Sequence, residues 1–263
     1  MIGVALITGA ASGIGQATAE TFVKEGCTKL ALADIDEGGL QTVADKLHAI
    51  NPDVQVVTVK VDVSSESDVQ YMVSTAVAKF GAIHYAVNNA GISSKPREKT
   101  HELATHAWDQ VIVVNLRGVW LCERAEIQQM LRQKTTIVPR TGAPPQRGSI
   151  VNVSSIFGVL SHPTVGGYAA AKAGVLGISR TDAVAYGAEG IRVNSVLPGF
   201  IKTPLLEEAI RQGSNYDDLI KTVPVRRWGT SQEVSEVIAF LAGEKASFIN
   251  GSEVLVDGGY SKI

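Results

Sequence analysis

Short runs of β-branched and other apolar residues alternate along this chain with longer segments whose apolar positions recur at helical spacing, and this alternation constrains the fold more than any other feature. It predicts strands over 3–8, 29–34, 54–61 and 84–88, with helices over 13–26, 37–50 and 66–80 between them. A helix over 102–132, a strand at 148–153, a helix at 166–187, a strand at 190–196, a helix near 231–242 and a last strand at 253–256 continue it. Strands separated by helices pair in parallel, because a helix is the usual crossover between parallel neighbours, and such a sheet is buried on both faces.

The fold class is therefore α/β: a Rossmann-like doubly wound parallel sheet with helices on both faces. With 263 residues, no Ser/Gly linker and no fixed repeat, the reading is one domain over 1–263, and 45% apolar residues suffice for its core. Two segments break the alternation. Residues 133–147 carry Pro139, Gly142, Pro144 and Pro145 and read as an irregular surface loop. Residues 200–230 read as short helices joined by turns, beyond a strand's carboxyl end where a substrate lid would sit.

A formal charge of −2 with no long basic run gives no footprint for nucleic acid or an anionic membrane, so a small, mostly neutral partner is expected. No apolar stretch reaches membrane-spanning length. The first residues show no leader pattern, so the expected location is cytoplasmic, and the Ser261-Lys262-Ile263 end differs from a peroxisomal Ser-Lys-Leu address in its final residue. Cys27 and Cys122 have neither metal-ligand nor disulfide-framework spacing and read as buried thiols; no metal site is expected.

Gly9, Gly13 and Gly15 fall between the first strand and the first helix, where they let the backbone turn tightly and bring amides close to a pyrophosphate at the positive helix end. Their spacing, G-x-x-x-G-x-G, departs from the common dinucleotide fingerprint. Asp34 closes the second strand, placed to accept hydrogen bonds from the adenosine ribose hydroxyls and to repel a 2′-phosphate. No Lys or Arg lies between Lys29 and Lys46 to neutralise that phosphate, so NAD is expected over NADP. Asp62 and Val63, after the third strand, are candidates to hold the adenine. Asn88, Asn89, Ala90 and Gly91 end the fourth strand, where the amides can fix backbone or line a cofactor and the small pair permits close approach of a ring.

Tyr168 and Lys172 are four residues apart, on one face of a predicted helix, with Ser155 thirteen residues upstream. An ammonium beside a phenol favours the phenolate and makes the tyrosine a usable acid or base near neutral pH. The pair alone would be equally at home as a packed ring with a snorkelling lysine. Its combination with the glycine turn points to hydride transfer.

Taken in order, Thr8-Gly9-Ala10-Ala11-Ser12-Gly13-Ile14-Gly15, Asp34, Asp62-Val63, Asn88-Asn89-Ala90-Gly91, Asn115, Ser154-Ser155, Tyr168-x-x-x-Lys172 and Pro198-Gly199 resemble the short-chain dehydrogenase/reductase family over essentially the whole chain. The resemblance implies a catalytic set of Asn115, Ser155, Tyr168 and Lys172. Tyr168 would exchange a proton with the substrate oxygen, Ser155 would hydrogen-bond that oxygen, Lys172 would also bond the nicotinamide ribose, and Asn115 would hold a relay water. It further implies nucleotide contacts from Gly9, Ser12, Gly13, Ile14, Gly15, Asp34, Asp62, Val63, Asn89, Ala90 and Gly91, and nicotinamide contacts from Tyr168, Lys172, Pro198, Gly199, Ile201 and Thr203.

The function expected is an NAD-dependent oxidoreductase interconverting a secondary alcohol and a ketone. Alternatives are a ketone or imine reductase of specialised metabolism, or a nucleotide-binding regulatory protein. Family members assemble as homotetramers or homodimers, here expected through helices 102–132 and 166–187. His162, Trp108, Trp228 and Tyr260 are further candidates to border the substrate, though single aromatic and histidine residues more often belong to core or surface.

Overall fold

The protein is described by a computed structural model covering residues 1–139, 141–211 and 217–262. Ile263, the last residue of the Ser-Lys-Ile end, lies outside the described residues, as do parts of the 133–147 and 200–230 segments. The first half runs β1 (Val4–Thr8), α1 (Gly13–Lys24), β2 (Lys29–Asp34), α2 (Glu37–Ile50), β3 (Gln55–Lys60), α3 (Glu66–Phe80) and β4 (Tyr85–Asn88). Then come α4 (Thr105–Ile112), α5 (Val119–Arg132), β5 (Gly148–Val153), α6 (Gly166–Tyr186), β6 (Ile191–Pro198), β7 (Ile201–Lys202), α7 (Pro204–Arg211), α8 (Asp217–Ile220), β8 (Gly229–Thr230), α9 (Ser231–Ala242) and β9 (Glu253–Val256).

Seven strands form one sheet in the order β3-β2-β1-β4-β5-β6-β9. Every pair in it is parallel. Strand side chains alternate between two cores, as the pleat requires. Ala5, Ile7, Leu30 and Leu32 pack with α1, α2 and α9, while Leu6, Ala31 and Ala33 pack with α3 and α5. Full burial of Leu6 or Leu32 stabilises the fold by ~2 kcal/mol each. The strand order reverses between β1 and β4, which opens a crevice at their carboxyl ends.

Two expectations need correction. The helix expected over 102–132 is three pieces: α4 begins at Thr105, a π-helical turn spans Val113–Gly118, and α5 follows. Its physical cause is Asn115, whose side chain is committed to the backbone of Ile92 and sits in the wide turn. The loop 133–147 is also less irregular than its prolines suggest. Ile137 and Gln146 exchange two backbone hydrogen bonds, and Gln133 bonds both the amide (3.1 Å) and the carbonyl of Ile83, pinning the loop beside β4. Residues 200–230 form the expected short helices, α7 and α8, framed by the two-stranded β7–β8 pair.

Candidate active site

The crevice is held open by side chains that tie β1 to β4. Thr8 Oγ1 accepts from the amides of Asn89 (3.1 Å) and Ala90 (3.2 Å), and Asn89 Nδ2 donates to the carbonyls of Thr8 (3.2 Å) and Gly9 (3.0 Å). Gly9 has φ +64°, and a Cβ there would lie 2.8 Å from the Ala90 Cα. At Gly15 a Cβ would come within 2.0 Å of the Gly9 carbonyl oxygen, so only glycine lets α1 start this close to β1.

Ser12 occupies the N-cap of α1 without a side-chain cap, and the first turn carries no acid. Its positive end therefore faces the crevice with first-turn amides that the helix itself does not satisfy. Asp34, at the end of β2, accepts from the amide of Ala11 through Oδ2 and from that of Asp36 through Oδ1, both at 3.0 Å. Asp62 is exposed, and its Oδ1 takes the amide (2.9 Å) and hydroxyl (2.7 Å) of Ser64. Val63 is buried against Gly118. A bare helix N-terminus behind a turn no Cβ could enter, with a carboxylate at the neighbouring strand end, fits a dinucleotide.

Deeper in the crevice, α6 presents Tyr168 and Lys172 one turn apart, with the Lys172 Nζ 5.8 Å from the centre of the Tyr168 ring. Lys172 is buried, and its Nζ donates to the carbonyl of Val153 at 2.8 Å. Burial lowers its pKa from 10.5 to about 8. Ser154 Oγ donates to the Lys172 carbonyl (2.8 Å), which fastens the end of β5 to α6, whereas Ser155 accepts from the Phe157 amide (3.2 Å) and caps a single 3-10 turn. Asn115 accepts from the Ile92 amide and donates to the Ile92 carbonyl, each at 2.8 Å. A Cβ on Gly91 would be 3.0 Å from Asn115 Oδ1 and 3.6 Å from Lys172 Nζ, so these three residues converge.

One cleft, with about 980 Å³ of empty space partly open to solvent, gathers Ser155, Tyr168 and Lys172 with Ile14, Asn89, Gly91, Pro198, Gly199, Ile201 and Thr203. Asn115 stands behind Gly91, off the cleft wall. Gly9, Ser12, Gly13, Gly15, Asp34 and Ala90 lie outside the cleft lining, around the glycine turn, and Asp62 and Val63 follow β3.

The far wall draws on the 200–230 segment expected to cover a substrate, although its individual residues were not singled out. Phe157, Val165, Phe200, Leu205 and Leu206 come from three separate segments and make it apolar, and Arg97 adds a cation from the loop after β4. Of the four aromatic and histidine candidates, Trp228 and Tyr260 lie behind the wall, edge-on to Phe200 at 6.5 and 5.0 Å between ring centres. Trp108 packs on Gly167. His162 meets Phe157 edge-on at 5.9 Å, and burial, then the charge of Arg97, lower its pKa.

A family model described as enoyl-(acyl carrier protein) reductase matches residues 9–261. Levodione reductase of Leifsonia aquatica is 36% identical, over 98% of this chain and 94% of that protein. Cyclohexanol dehydrogenase of Acinetobacter sp. (strain SE19) is 38% identical, over 98% and 94%. The cis-4-hydroxycyclohexanecarboxylate dehydrogenase of Sinomonas cyclohexanicum is 38% identical, over 99% and 97%. The crystal structure of levodione reductase superimposes with a TM-score of 0.90, covering 98% of this chain and 97% of that one.

Proposed function

The chain belongs to the short-chain dehydrogenase/reductase family and is an oxidoreductase of the CH–OH group using NAD(P), and we propose that it interconverts a cyclic or aryl secondary alcohol and its ketone with NAD. The observation that carries this is the convergence of Ser155, Tyr168 and Lys172 in one apolar-walled cleft with Ile14, Pro198 and Thr203. Relatives named for cyclohexanol and cis-4-hydroxycyclohexanecarboxylate point to a cyclic alcohol, which suits walls of Phe157, Phe200 and Leu206.

The bound nicotinamide would take or supply the hydride. Tyr168 would hold the proton that leaves or joins the substrate oxygen, and Ser155 would donate a hydrogen bond to that oxygen as its charge changes. Lys172 supplies a positive charge beside the phenol and keeps ammonium hydrogens for the nicotinamide ribose. Asn115 fixes the Ile92 backbone that borders both. Asp34 would receive the adenosine ribose, and its carboxylate disfavours a 2′-phosphate, hence NAD over NADP. No helix among the described residues is long and apolar enough to cross a membrane, and a cytoplasmic homotetramer is the assembly favoured. Its helical faces, bearing Trp108, Trp120 and Val184, expose apolar area of the kind an interface covers. A monomer in sedimentation at micromolar concentration would refute that assembly.

The test is Tyr168→Phe assayed against a panel of cyclic secondary alcohols with each nucleotide. Turnover should fall by at least a thousandfold while NADH affinity changes little, and retention of most activity would remove Tyr168 from the reaction. Higher kcat/KM with NADP than with NAD would overturn the reading of Asp34.

A further inference from the structure

Most of the polar groups that line the cleft already have a task. Asn89 Nδ2 is committed to the carbonyls of Thr8 and Gly9, Ser154 Oγ to the carbonyl of Lys172, and Thr203 Oγ1 accepts from the Leu206 amide at 3.3 Å. Ser155, Tyr168 and Lys172 serve the proposed reaction, and Arg97 is already engaged by the protein. Ser93 and Ser94, on the loop after β4, remain. Ser94 is the deeper of the two at 6% exposure, and among the described residues its hydroxyl meets no hydrogen-bond partner. Ser195 Oγ, on β6, is sealed in the core without a partner; Ser94 Oγ instead keeps access to solvent, and the space it meets is the cleft.

The reacting end fixes where that hydroxyl stands. Asn115 holds both the amide and the carbonyl of Ile92 at 2.8 Å, and Gly91 before it lies beside Lys172. Two further residues carry the chain no more than ~7 Å, so Ser94 stays within reach of a small ring whose carbinol carbon lies at Ser155 and Tyr168. An entirely apolar ring would expel water from Ser94 and leave a buried hydroxyl unpaired, which is costly. Resting on the proposed alcohol–ketone reaction, we infer that Ser94 forms a second oxygen subsite: the natural substrate is a ring that bears, besides the reacting carbinol or ketone, an uncharged hydroxyl or carbonyl oxygen hydrogen-bonded by Ser94 Oγ. A serine hydroxyl both donates and accepts, so it suits either form of that second oxygen. It brings no charge, which fits a neutral group better than a carboxylate. Ser94 takes no part in the hydride or proton steps and is a specificity determinant, not a catalytic residue.

The experiment compares cyclohexane-1,3-diol and cyclohexane-1,4-diol with 3-methylcyclohexanol and 4-methylcyclohexanol, in the wild-type protein and in Ser94→Ala, Ser94→Thr and Ser93→Ala. A methyl group takes the place of the second hydroxyl without its hydrogen bond. In the wild type one diol should show kcat/KM at least about tenfold above its methyl counterpart, more than its two equivalent ends account for. Ser94→Ala should erase that advantage by raising KM for the diol more than for the methyl compound. Its Tm without nucleotide should not fall, since the lost hydroxyl has no partner in the fold. Ser94→Thr, which keeps a hydroxyl, should retain part of the advantage, and Ser93→Ala all of it. Methyl compounds that match or surpass both diols in the wild type, an equal loss on diol and methyl compound in Ser94→Ala, or a loss confined to Ser93→Ala would overturn the subsite and leave the alcohol dehydrogenase standing. Failure of diols and methylcyclohexanols alike with both nucleotides would overturn the proposed reaction, and this inference with it.

Discussion

Glu126 gives the sharpest physical test of the fold beneath the site. It lies on α5 with no exposure to solvent, its Oε2 accepting from Asn88 Nδ2 at 3.0 Å and its Oε1 without a partner. Burial raises its pKa from 4.5 to about 7, with the Asn88 hydrogen bond opposing the rise. A carboxyl whose folded pKa exceeds its unfolded value carries no penalty below the unfolded pKa. As pH rises through both values, the folded state must give up a proton it holds more tightly, and stability falls. At ~1.4 kcal/mol per pKa unit, the full loss is about 3 kcal/mol above pH 7.

Replacing Glu126 by Gln removes the titration but keeps an acceptor for Asn88, and its amide can donate to the Asn88 Oδ1, which also lacks a partner. Urea unfolding of the two proteins without nucleotide, from pH 5 to pH 8, should give similar stability at the acid end. The variant should gain about 2 kcal/mol over the wild type by the alkaline end, a Tm difference of about 4–8 °C. The neighbouring pair of Glu123 and Asp182 also titrates. Glu123 is raised by burial and then by the charge of Asp182, so Glu123 keeps the proton the two share. The Glu126 charge also raises Glu123, so its removal relieves that pair as well and adds to the variant's gain at the alkaline end, while the adjacent Cys122 thiol is pushed well up by burial and stays neutral. A stability difference independent of pH, or a variant weaker at pH 8, would refute the reasoning.

Lys172→Met should abolish turnover yet raise the Tm of the nucleotide-free protein by about 4–8 °C below pH 8, since relief of a ~3 kcal/mol desolvation cost outweighs ~1 kcal/mol for the orphaned Val153 carbonyl. The gain should shrink as pH rises from 8 through 10.5, because above 10.5 the wild-type lysine is neutral folded and unfolded alike; a gain that grows with pH would contradict this. Gly15→Ala drives a Cβ to 2.0 Å from a backbone oxygen that no side-chain motion can relieve, so NADH binding by fluorescence titration should be lost along with more than ~2 kcal/mol of stability. Gly177→Ala, exposed on α6 with nothing within 4 Å of the new methyl, should instead gain ~0.5–1 kcal/mol in the same unfolding assay.

The parallel sheet was legible because burial on both faces leaves runs such as Val4-Ala5-Leu6-Ile7 and Ile150-Val151, bounded by turn residues, that no other element explains. The glycine turn and the Tyr168–Lys172 pair were legible because each is local: a tight turn or one helical turn fixes the geometry that the residues need. The π turn at Asn115 was not, since Gly118 within a helical pattern marks no particular turn and the bond that holds Asn115 goes to Ile92, twenty-three residues away. Likewise Glu123 and Glu126, three apart on a helix, have the spacing of any solvated acidic face. Only the packing of α5 against β4, β5 and α6 buries them among Asn88, Asn152 and Ser179. For the substrate wall the 200–230 segment was legible but its residues were not, since Phe157 and Phe200 meet only across separate loops.

Two buried cations show how the finished structure separates what folds the chain from what serves a ligand. Arg192, on β6, directs its five N–H groups to Gln146 Oε1 and to the carbonyls of Leu241, Ala242, Gly243 and Ile249, at 2.8–3.2 Å. Burial lowers its pKa only to about 10, so it stays charged; four of its donors tie β6 to the end of α9 and the chain leading into β9, and the fifth ties it to the loop before β5. Lys172 is as well buried but, among the described residues, gives its three ammonium hydrogens a single carbonyl, that of Val153. A structural role would favour either more acceptors or an apolar replacement, because an underbonded buried charge only costs stability. The protein carries that cost where Tyr168, Ser155 and Gly91 meet, and a ligand with hydroxyl acceptors in the cleft would offset it. If Lys172 meets the nicotinamide ribose as proposed, added NADH should raise the Tm of the wild type more than that of Lys172→Met.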